Sequence, residues 1–256
     1  MAGLPTLAYS VVQPCIVQVL QQSICRTVCL CTIPATFGHG FSGSYVLKTM
    51  TNAEEMNFML RAGSDCAVQP LAVITGTAPW GGISPDGILM AYETPLANYL
   101  NSLDSSGRLA VANLIFDLVK RLHKAGIIHG DVKYANVVYS RARQRLLLID
   151  FEYSQNANNS HYVEDDDPEL TLQYSAPIRR RYPLSAQHPL RFEDDYWAAA
   201  ITAWEVATGE PHFKGMQRYE IENALAQGQR PDLKRVTDSK LRGMIDSWLK
   251  IGNGWG

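Results

Sequence analysis

Short segments rich in Val, Ile, Leu and Cys, separated by turn-forming residues, fill the first third of the chain. They predict five β-strands, at residues 15–20, 24–33, 44–49, 71–76 and 87–92. Gln21-Gln22-Ser23 is the expected turn of the first hairpin. Between the third and fourth strands, Met56, Met59 and Leu60 recur at helical spacing and predict a helix over 52–62. This part of the chain is therefore expected to form a small β-rich lobe with one helix.

From residue 96 onward the apolar spacing becomes helical. A helix is expected over 109–125, with Leu114, Ile115, Leu118 and Leu122 on its buried face and Gly126 ending it. Two short strands, 137–139 and 146–149, precede a strongly apolar helix at 194–208 and final helices at 216–228 and 238–250. The fold class expected is α+β: one domain over 1–256, with a smaller lobe at about 10–92 and a helical lobe at about 93–256.

Composition narrows the function classes. Apolar residues make up 46% of the chain and charged residues 19%, which is typical of a packed globular core. A net charge of −2 argues against a general nucleic-acid surface. No apolar run approaches the ~20 residues of a membrane span, and no basic stretch precedes an apolar N-terminal segment. We expect a cytoplasmic protein with no nucleic-acid or membrane partner; the oligomeric state stays open.

Five cysteines lie in the first quarter of the chain: Cys15, Cys25, Cys29, Cys31 and Cys66. Strand alternation places Cys29 and Cys31 on one face of the same strand. Because the number is odd and no CxxC pair occurs, we interpret them as small buried hydrophobic residues of a reducing compartment.

The most informative segment is His129-Gly130-Asp131-Val132-Lys133-Tyr134-Ala135-Asn136, which precedes an apolar strand that ends in Asp150-Phe151. Asp131 could orient a hydroxyl group and accept its proton, and Lys133 could neutralise charge on a transferred phosphoryl group. Asn136 and Asp150 carry the oxygen ligands that Mg²⁺ prefers. An acid, a lysine, an amide and a second acid in this order predict a site for phosphoryl transfer.

These residues resemble the protein kinases. HGDVKYAN is similar to the catalytic loop H-R-D-L-K-x-x-N, and Asp150-Phe151-Glu152 is similar to D-F-G. YVLK at 45–48 resembles V-A-I-K, DYWAAAITAWEVATGE from 195 resembles a large-lobe helix, and YSAP at 174–177 resembles the end of an activation segment. The likeness covers roughly residues 10–250 and is closest in style to divergent, fungal-type Ser/Thr kinase-like proteins.

The resemblance implies a bilobal kinase-like fold, truncated at its C-terminus, that uses ATP and Mg²⁺ to phosphorylate Ser or Thr of a protein substrate. Lys48 would hold the ATP phosphates and pair with Glu55, although Asn52 with Glu55 also reads as a helix capping box. The remaining nucleotide contacts implied are the hinge residues Met90, Ala91 and Glu93, and Val46 and Val138 on either side of the adenine ring.

The chain also departs from the kinase pattern. The GxGxxG at 38–43 ends only five residues before Lys48, so it is expected to form the turn before the third strand. The first hairpin turn then has no glycine, and its backbone amides approach phosphates less closely. Gly130 replaces the arginine that reads an activation-loop phosphate, Glu152 replaces a glycine, and Ile178 replaces a glutamate. The acidic run at 164–167 is either a solvated loop or a mimic of the missing phosphate.

Two other functions stay open. A pseudokinase, a binding module on the same fold, is favoured by the missing glycine turn, Glu152 and Ile178. A small-molecule kinase of the aminoglycoside or choline type is favoured by Gly130, because those enzymes also carry H-G-D. The resemblance makes His129 an organiser of the loop and not a catalytic residue.

Overall fold

The computed structural model describes residues 3–23, 26–38, 40–76, 87–160, 172–177 and 189–252. The acidic run at 164–167 and Ile178 lie outside the described residues. The chain divides into two compact units, Met1–Glu93 and Thr94–Gly256. Of the helices in the described ranges, none combines the length and apolar character that a membrane crossing requires.

The first unit is built on a mixed sheet. Its strands are β1 (Thr6–Ala8), β2 (Ile16–Gln22), β3 (Thr27–Ile33), β4 (Gly43–Lys48), β5 (Pro70–Thr75) and β6 (Gly87–Ala91), in the order β1-β5-β6-β4-β3-β2. The five predicted strands are confirmed. Strand β1 was not predicted; it lies parallel to β5, with Thr6 opposite Val73. A short helix, α1 (Tyr9–Val12), and a 3₁₀ turn at Gln13–Cys15 connect β1 to β2.

Two turns bear on the glycine argument. The first hairpin turn was predicted at Gln21–Ser23 and is found later, because β2 continues through Gln22 and the Ser23 amide donates to the Arg26 carbonyl at 2.8 Å. The glycines of 38–43 connect β3 to β4, as predicted, and Gly38 and Gly40 have positive φ. The β2–β3 hairpin therefore has no glycine-rich loop in its sequence, and the glycine-rich segment lies one connection later, between β3 and β4.

The two faces of this sheet have different roles. Cys29 lies opposite Leu47 and Cys31 opposite Tyr45, and both cysteines belong to one buried apolar cluster. Burial raises the pKa of Cys31 to about 12, so its thiol stays protonated. This confirms the interpretation of Cys29 and Cys31 as buried hydrophobic residues; Cys66 is buried as well, Cys15 is half-buried, and Cys25 lies outside the described residues. Val46 and Lys48 alternate to the other face of β4.

Helix α2 (Ala53–Ala62) follows β4. Asn52 caps it, since its Oδ1 accepts a hydrogen bond from the Glu55 amide at 2.7 Å. Met56, Phe58 and Met59 are buried, whereas Leu60 is exposed.

The second unit is mainly helical. Its elements are β7 (Thr94–Pro95), α3 (Leu96–Leu100), α4 (Ser105–Lys124), β8 (Ile127–Ile128), β9 (Val137–Ser140), β10 (Arg145–Leu148), β11 (Gln155–Asn156), α5 (Phe192–Thr208), α6 (Arg218–Ala226) and α7 (Ser239–Gly252). Strands β10, β9 and β7 pair in that order, and β11 pairs with β8. Helices α4 and α7 both pack on α5. A β-rich first unit followed by a helical second unit is the α+β organisation predicted.

The prediction of the buried face of α4 is wrong for one residue, Leu114. Ile115, Leu118 and Leu122 are fully buried in α4, but Leu114 is 40% exposed. Steps of four residues advance 40° past each helical turn, so Leu114 lies about 80° from Leu122 around the axis. Val111 takes its place in the buried stripe.

Candidate active site

The segment His129–Asn136 is anchored by a carboxylate from α5. Asp195 accepts hydrogen bonds from the His129 amide (2.7 Å), the Gly130 amide (2.9 Å) and the His123 ring Nε2 (2.9 Å). Burial alone raises the pKa of Asp195, but the hydrogen bond and charge of His123 and the His129 amide outweigh it and hold that pKa below its usual value. An ionised Asp195 therefore fixes the backbone of the loop to α5.

Sequence reasoning missed this anchor. Asp195 opens the DYW motif that was matched to a kinase helix, yet it received no role. A buried acid at the first turn of an apolar helix was the available signal, because such a charge needs partners.

Gly130 occupies a position where a side chain does not fit. Its φ is +80°, and a Cβ there would lie 2.7 Å from the Tyr153 carbonyl oxygen and 3.0 Å from Leu190 Cδ1. The backbone conformation and the contact together explain why this loop carries glycine instead of the arginine of the kinase pattern.

His129 is buried within the unit. Its Nε2 is 3.2 Å from the Ile149 carbonyl, and its ring meets Phe151 at 4.8 Å edge to face. Burial lowers the pKa of His129, against the opposing influence of nearby carboxylates. The contacts link the loop to the strand end before Asp150.

Three of the predicted catalytic and metal residues meet at one carboxylate. Lys133 Nζ lies 2.6 Å from Asp131 Oδ2, and Asn136 Nδ2 donates to the Asp131 carbonyl and to Oδ2, both at 2.9 Å. Burial raises the pKa of Asp131, and the charge and hydrogen bond of Lys133 oppose that rise. A buried carboxylate with a raised proton affinity can act as a proton acceptor.

Asn136 and Asp150 lie at the same end of the β9–β10 hairpin. Val137 is opposite Leu148, and the Ile149 amide donates to the Asn136 carbonyl at 3.0 Å, so the residues just outside the pair are neighbours. Asp150 has φ +64°, a left-handed conformation that Asp tolerates better than most residues and that is frequent at functional sites. The hairpin register thus places Asn136 next to Ile149, the residue that precedes Asp150 in the chain.

The side chains of Asn136 and Asp150 suit a magnesium ion whose coordination is completed by phosphate oxygens of a substrate. Asn136 donates its amide nitrogen to Asp131, so its side-chain oxygen is the atom that would bind a metal ion. Within the described ranges, no group of three or more His, Cys, Asp or Glu side chains is arranged to hold a metal. Mg²⁺ sites completed by substrate phosphates need only one or two protein carboxylates, so two protein ligands are sufficient.

Glu152 takes the place of the kinase glycine without strain. It is not among the non-glycine residues with positive φ in the described part of the chain. The backbone at this position therefore does not require glycine.

In the first unit, Lys48 and Glu55 form a buried ion pair through Nζ and Oε1. Lys48 is 5% and Glu55 4% exposed. Both alternatives raised for Glu55 apply in part: its amide is capped by Asn52, while its carboxylate turns to Lys48. The short segment between β4 and α2 is thus compatible with the pair.

The other predicted nucleotide residues are distributed over both units. Val46 on β4 pairs with Met90 on β6, and Ala91 and Glu93 follow at the end of the first unit, both half-buried. Val138 lies on β9 in the second unit, opposite Leu147 and Pro95. Their contacts with adenine stay a prediction.

A second buried carboxylate in the second unit was also missed. Glu205 on α5 accepts hydrogen bonds from the Tyr174 hydroxyl (2.6 Å) and the His212 amide (2.7 Å). Burial raises the pKa of Glu205, although these two hydrogen bonds oppose the rise. The YSAP segment is thereby tied to α5.

Comparisons with known proteins agree with this geometry. The model of the protein kinase domain matches residues 90–250. Serine/threonine-protein kinase 1 of Orgyia pseudotsugata multicapsid polyhedrosis virus is 31% identical over 132 residues, which is 49% of this chain and 44% of the relative. The protein of the same name from Lymantria dispar multicapsid nuclear polyhedrosis virus is 29% identical over 104 residues, covering 41% of this chain and 34% of the relative.

A similar match is found to inhibitor of nuclear factor kappa-B kinase subunit beta of Bos taurus, 28% identical over 159 residues. That match covers 59% of this chain and 20% of the relative. The chain spans less than half the length of each of these three relatives.

Proposed function

Because this chain belongs to the protein kinase domain family, we propose that it transfers the γ-phosphate of ATP to a Ser or Thr hydroxyl of a protein substrate. The observation that carries the proposal is the Asp131 cluster, where a buried carboxylate is held by Lys133 at 2.6 Å and Asn136 at 2.9 Å. Catalysis of this kind depends on positioning and electrostatics more than on covalent chemistry.

In this proposal Asp131 receives the hydrogen bond of the acceptor hydroxyl and takes its proton as the oxygen attacks. Lys133 lies beside Asp131 Oδ2 and is placed to stabilise negative charge on the transferred group. Asn136 and Asp150 would hold Mg²⁺, whose charge neutralises the phosphate oxygens in kinases. The anchoring of the loop by Asp195 keeps Asp131 in one orientation.

Lys48, held by Glu55, is assigned to the ATP phosphates. The ion pair keeps the ammonium group in one position despite its burial. The adenine contacts that the family resemblance implies are assigned to Val46, Met90, Ala91, Glu93 and Val138.

A pseudokinase is the second candidate, and one observation favours it. The sequence from Ser23 to Arg26, between β2 and β3, contains no glycine, so its backbone amides are expected to approach phosphates less closely than those of a glycine-rich loop. A small-molecule kinase is less favoured, since the matched family and the named relatives are protein kinases.

A phosphate-transfer assay tests the proposal. Wild type, Asp131→Asn and the control Asp117→Asn, an exposed acid on α4, are incubated with radiolabelled ATP, Mg²⁺ and generic protein substrates. We expect transfer by wild type and the control, and a loss of about 10²–10⁴-fold in Asp131→Asn. Radiolabel on Ser or Thr of the substrate supports a protein kinase. Equal background labelling with wild type, Asp131→Asn and Asp117→Asn contradicts the proposed activity.

Thermal unfolding with Mg-ATP separates the candidates further. A ligand at about 100 times its Kd stabilises the folded state by about 2.7 kcal/mol. Stabilisation without transfer identifies a nucleotide-binding pseudokinase.

A further inference from the structure

Arg108, in the second unit, is a half-buried arginine for which the structure shows no acidic partner. It is the fourth residue of α4. Three other arginines of this unit, Arg218, Arg230 and Arg235, each pair with an acid. Among the residues that the structure describes, none forms an ion pair or a side-chain hydrogen bond with the Arg108 guanidinium.

The Arg108 side chain reaches the end of α5 and the loop that carries Asp131. A Cβ on Gly209, the residue that ends α5, would lie 3.3 Å from Arg108 Nη1. The turn that Tyr134 opens also contacts α5. Burial raises the pKa of Tyr134, the charge of Arg108 opposes that rise, and the charge of Glu205 adds to it. Arg108, Tyr134 and the end of α5 are therefore neighbours.

The acids of this region are engaged with other donors. Asp104, one turn before Arg108, caps α4 through its Oδ1. Glu205 accepts the Tyr174 hydroxyl at one carboxylate oxygen and the His212 amide at the other. A guanidinium that loses part of its hydration without gaining a counter-charge is costly, and an anionic ligand would offset that cost.

Tyr134 connects Arg108 to the site proposed for the acceptor hydroxyl. It directly follows Lys133, whose Nζ lies 2.6 Å from Asp131 Oδ2. Three residues of chain span at most about 10 Å, which limits the Cα separation of Asp131 and Tyr134. Because an extended peptide rises about 3.3 Å per residue, a substrate side chain a few positions from the acceptor can reach Arg108.

We propose that Arg108 binds an anionic side chain of the protein substrate, a carboxylate or a phosphate group that lies within about five residues of the acceptor Ser or Thr. The inference rests on the proposed function, because it names the substrate class of the same site. The planar guanidinium donates through a fork of N–H groups that matches two oxygens of a carboxylate or a phosphate. Arg108 therefore selects substrates with an acidic segment over neutral or basic ones.

The competing explanation for Arg108 is a structural one. A cation at the C-terminal end of a helix interacts favourably with the helix dipole, and Arg108 lies at that end of α5. A structural role predicts a lower thermal stability when the charge is removed. It predicts no dependence of activity on the charge of the substrate, and the test uses this difference.

A peptide array measures the preference. Each peptide has one central Ser in an alanine background, and Glu, phosphoserine or Lys is placed in turn at the five positions on each side. Transfer of radiolabelled phosphate gives kcat/KM for wild type, Arg108→Gln, Arg108→Lys and Arg108→Glu, and thermal unfolding is recorded for each. Arg143→Gln is the matched control, since it removes an exposed arginine from the same unit, in the turn between β9 and β10.

Wild type is expected to favour an anionic residue over alanine, at one position or more, by about five- to fiftyfold in kcat/KM, as for a charge-assisted hydrogen bond at a half-exposed site. Preference for Glu as well as phosphoserine identifies an acidic segment, and preference for phosphoserine alone identifies a phosphorylated one. Arg108→Gln is expected to remove the preference, Arg108→Lys to retain part of it, and Arg108→Glu to reverse it towards Lys. Arg143→Gln is expected to keep the preference of wild type.

Three outcomes overturn the inference and leave the proposed function standing. Wild type transfers phosphate without preferring an anionic residue at any position, or the preference persists in Arg108→Gln and Arg108→Glu. In the third, Arg108→Gln lowers transfer to all peptides equally and unfolds at a lower temperature, which means that Arg108 only supports the end of α5. Absence of transfer by wild type to any peptide or protein defeats the proposed function and this inference together.

Discussion

At Asp131, two opposing influences set the proton affinity of the carboxylate. Burial raises its pKa, and Lys133, 2.6 Å away, lowers it. A group with a raised pKa loses its negative charge as the pH falls through that value, earlier than an ordinary Asp. The activity proposed for this site therefore has an acidic limit that depends on Lys133.

The substitution Lys133→Met tests this dependence. With the opposing charge gone, the pKa of Asp131 rises further, so the acidic limb of the kcat/KM profile is expected to move to higher pH. Loss of the charge near the transferred group is expected to lower kcat by about 10²–10³-fold as well. The measurement is phosphate transfer as a function of pH in wild type and variant.

Lys240→Met, which removes an exposed lysine from the first turn of α7, is the control and should change neither quantity. An acidic limb that stays at the same pH in Lys133→Met would show that Asp131 is not the group that titrates. A lower kcat alone would then reflect only the lost charge of Lys133.

The residues of HGDVKYAN could be predicted because their functional groups lie close together in sequence. Asp131, Lys133 and Asn136 fall within six positions, and their hydrogen bonds form within the loop. Asp195 and Tyr153 could not be connected to Gly130 in this way, because they act across 65 and 23 positions. Apolar patterning carries no information on which distant carboxylate or carbonyl meets a given amide.

At the scale of elements, periodicity located the long strands and helices but not the two- and three-residue strands. Strand β1 has only Thr6–Ala8 to show alternation, and β7, β8 and β11 have two residues each. Strand β1 pairs with the edge of β5 and β7 with the edge of β9, whereas β8 and β11 pair with each other. Their pairing depends on tertiary context, which a local pattern does not contain.

The crossing of α5 and α7 depends on a glycine. Gly252, at the end of α7, is buried, and a Cβ there would lie 2.6 Å from Trp197 Cβ and 2.8 Å from the Glu193 carbonyl oxygen. Gly243 in the same helix has open space around it. The two positions form a matched pair within one element.

Gly252→Ala is expected to lower the free energy of unfolding by about 1–3 kcal/mol, because the methyl group overpacks the contact with α5. Gly243→Ala is expected to raise it by roughly 0.5–1 kcal/mol through helix propensity. Urea unfolding followed by tryptophan fluorescence measures both. The same sign of change in both variants would contradict the close contact at Gly252.

At the scale of the whole molecule, buried titratable groups couple stability to pH. His212 follows α5, packs against the Trp204 and Phe213 rings and donates its amide to Glu205. Burial lowers the pKa of His212 to about 4, whereas burial raises that of Glu205. Burial disfavours the charged form of both groups. Acidification therefore lowers the stability of the fold through His212, which must be charged, and raises it through Glu205, which becomes neutral.

For His212 the unfolded chain binds the proton more readily, with a pKa near 6.5. Stability is therefore complete above about pH 6.5 and declines as the pH falls towards 4, by up to about 3 kcal/mol. His212→Gln removes this contribution and leaves Glu205 and its partner Tyr174 in place. We expect the difference in unfolding free energy between wild type and His212→Gln to shift in favour of the variant as the pH falls from 7 to 4.5. Urea titrations at several pH values measure this difference. A difference that stays constant over this range would mean that His212 is protonated as readily in the folded protein as in the unfolded chain.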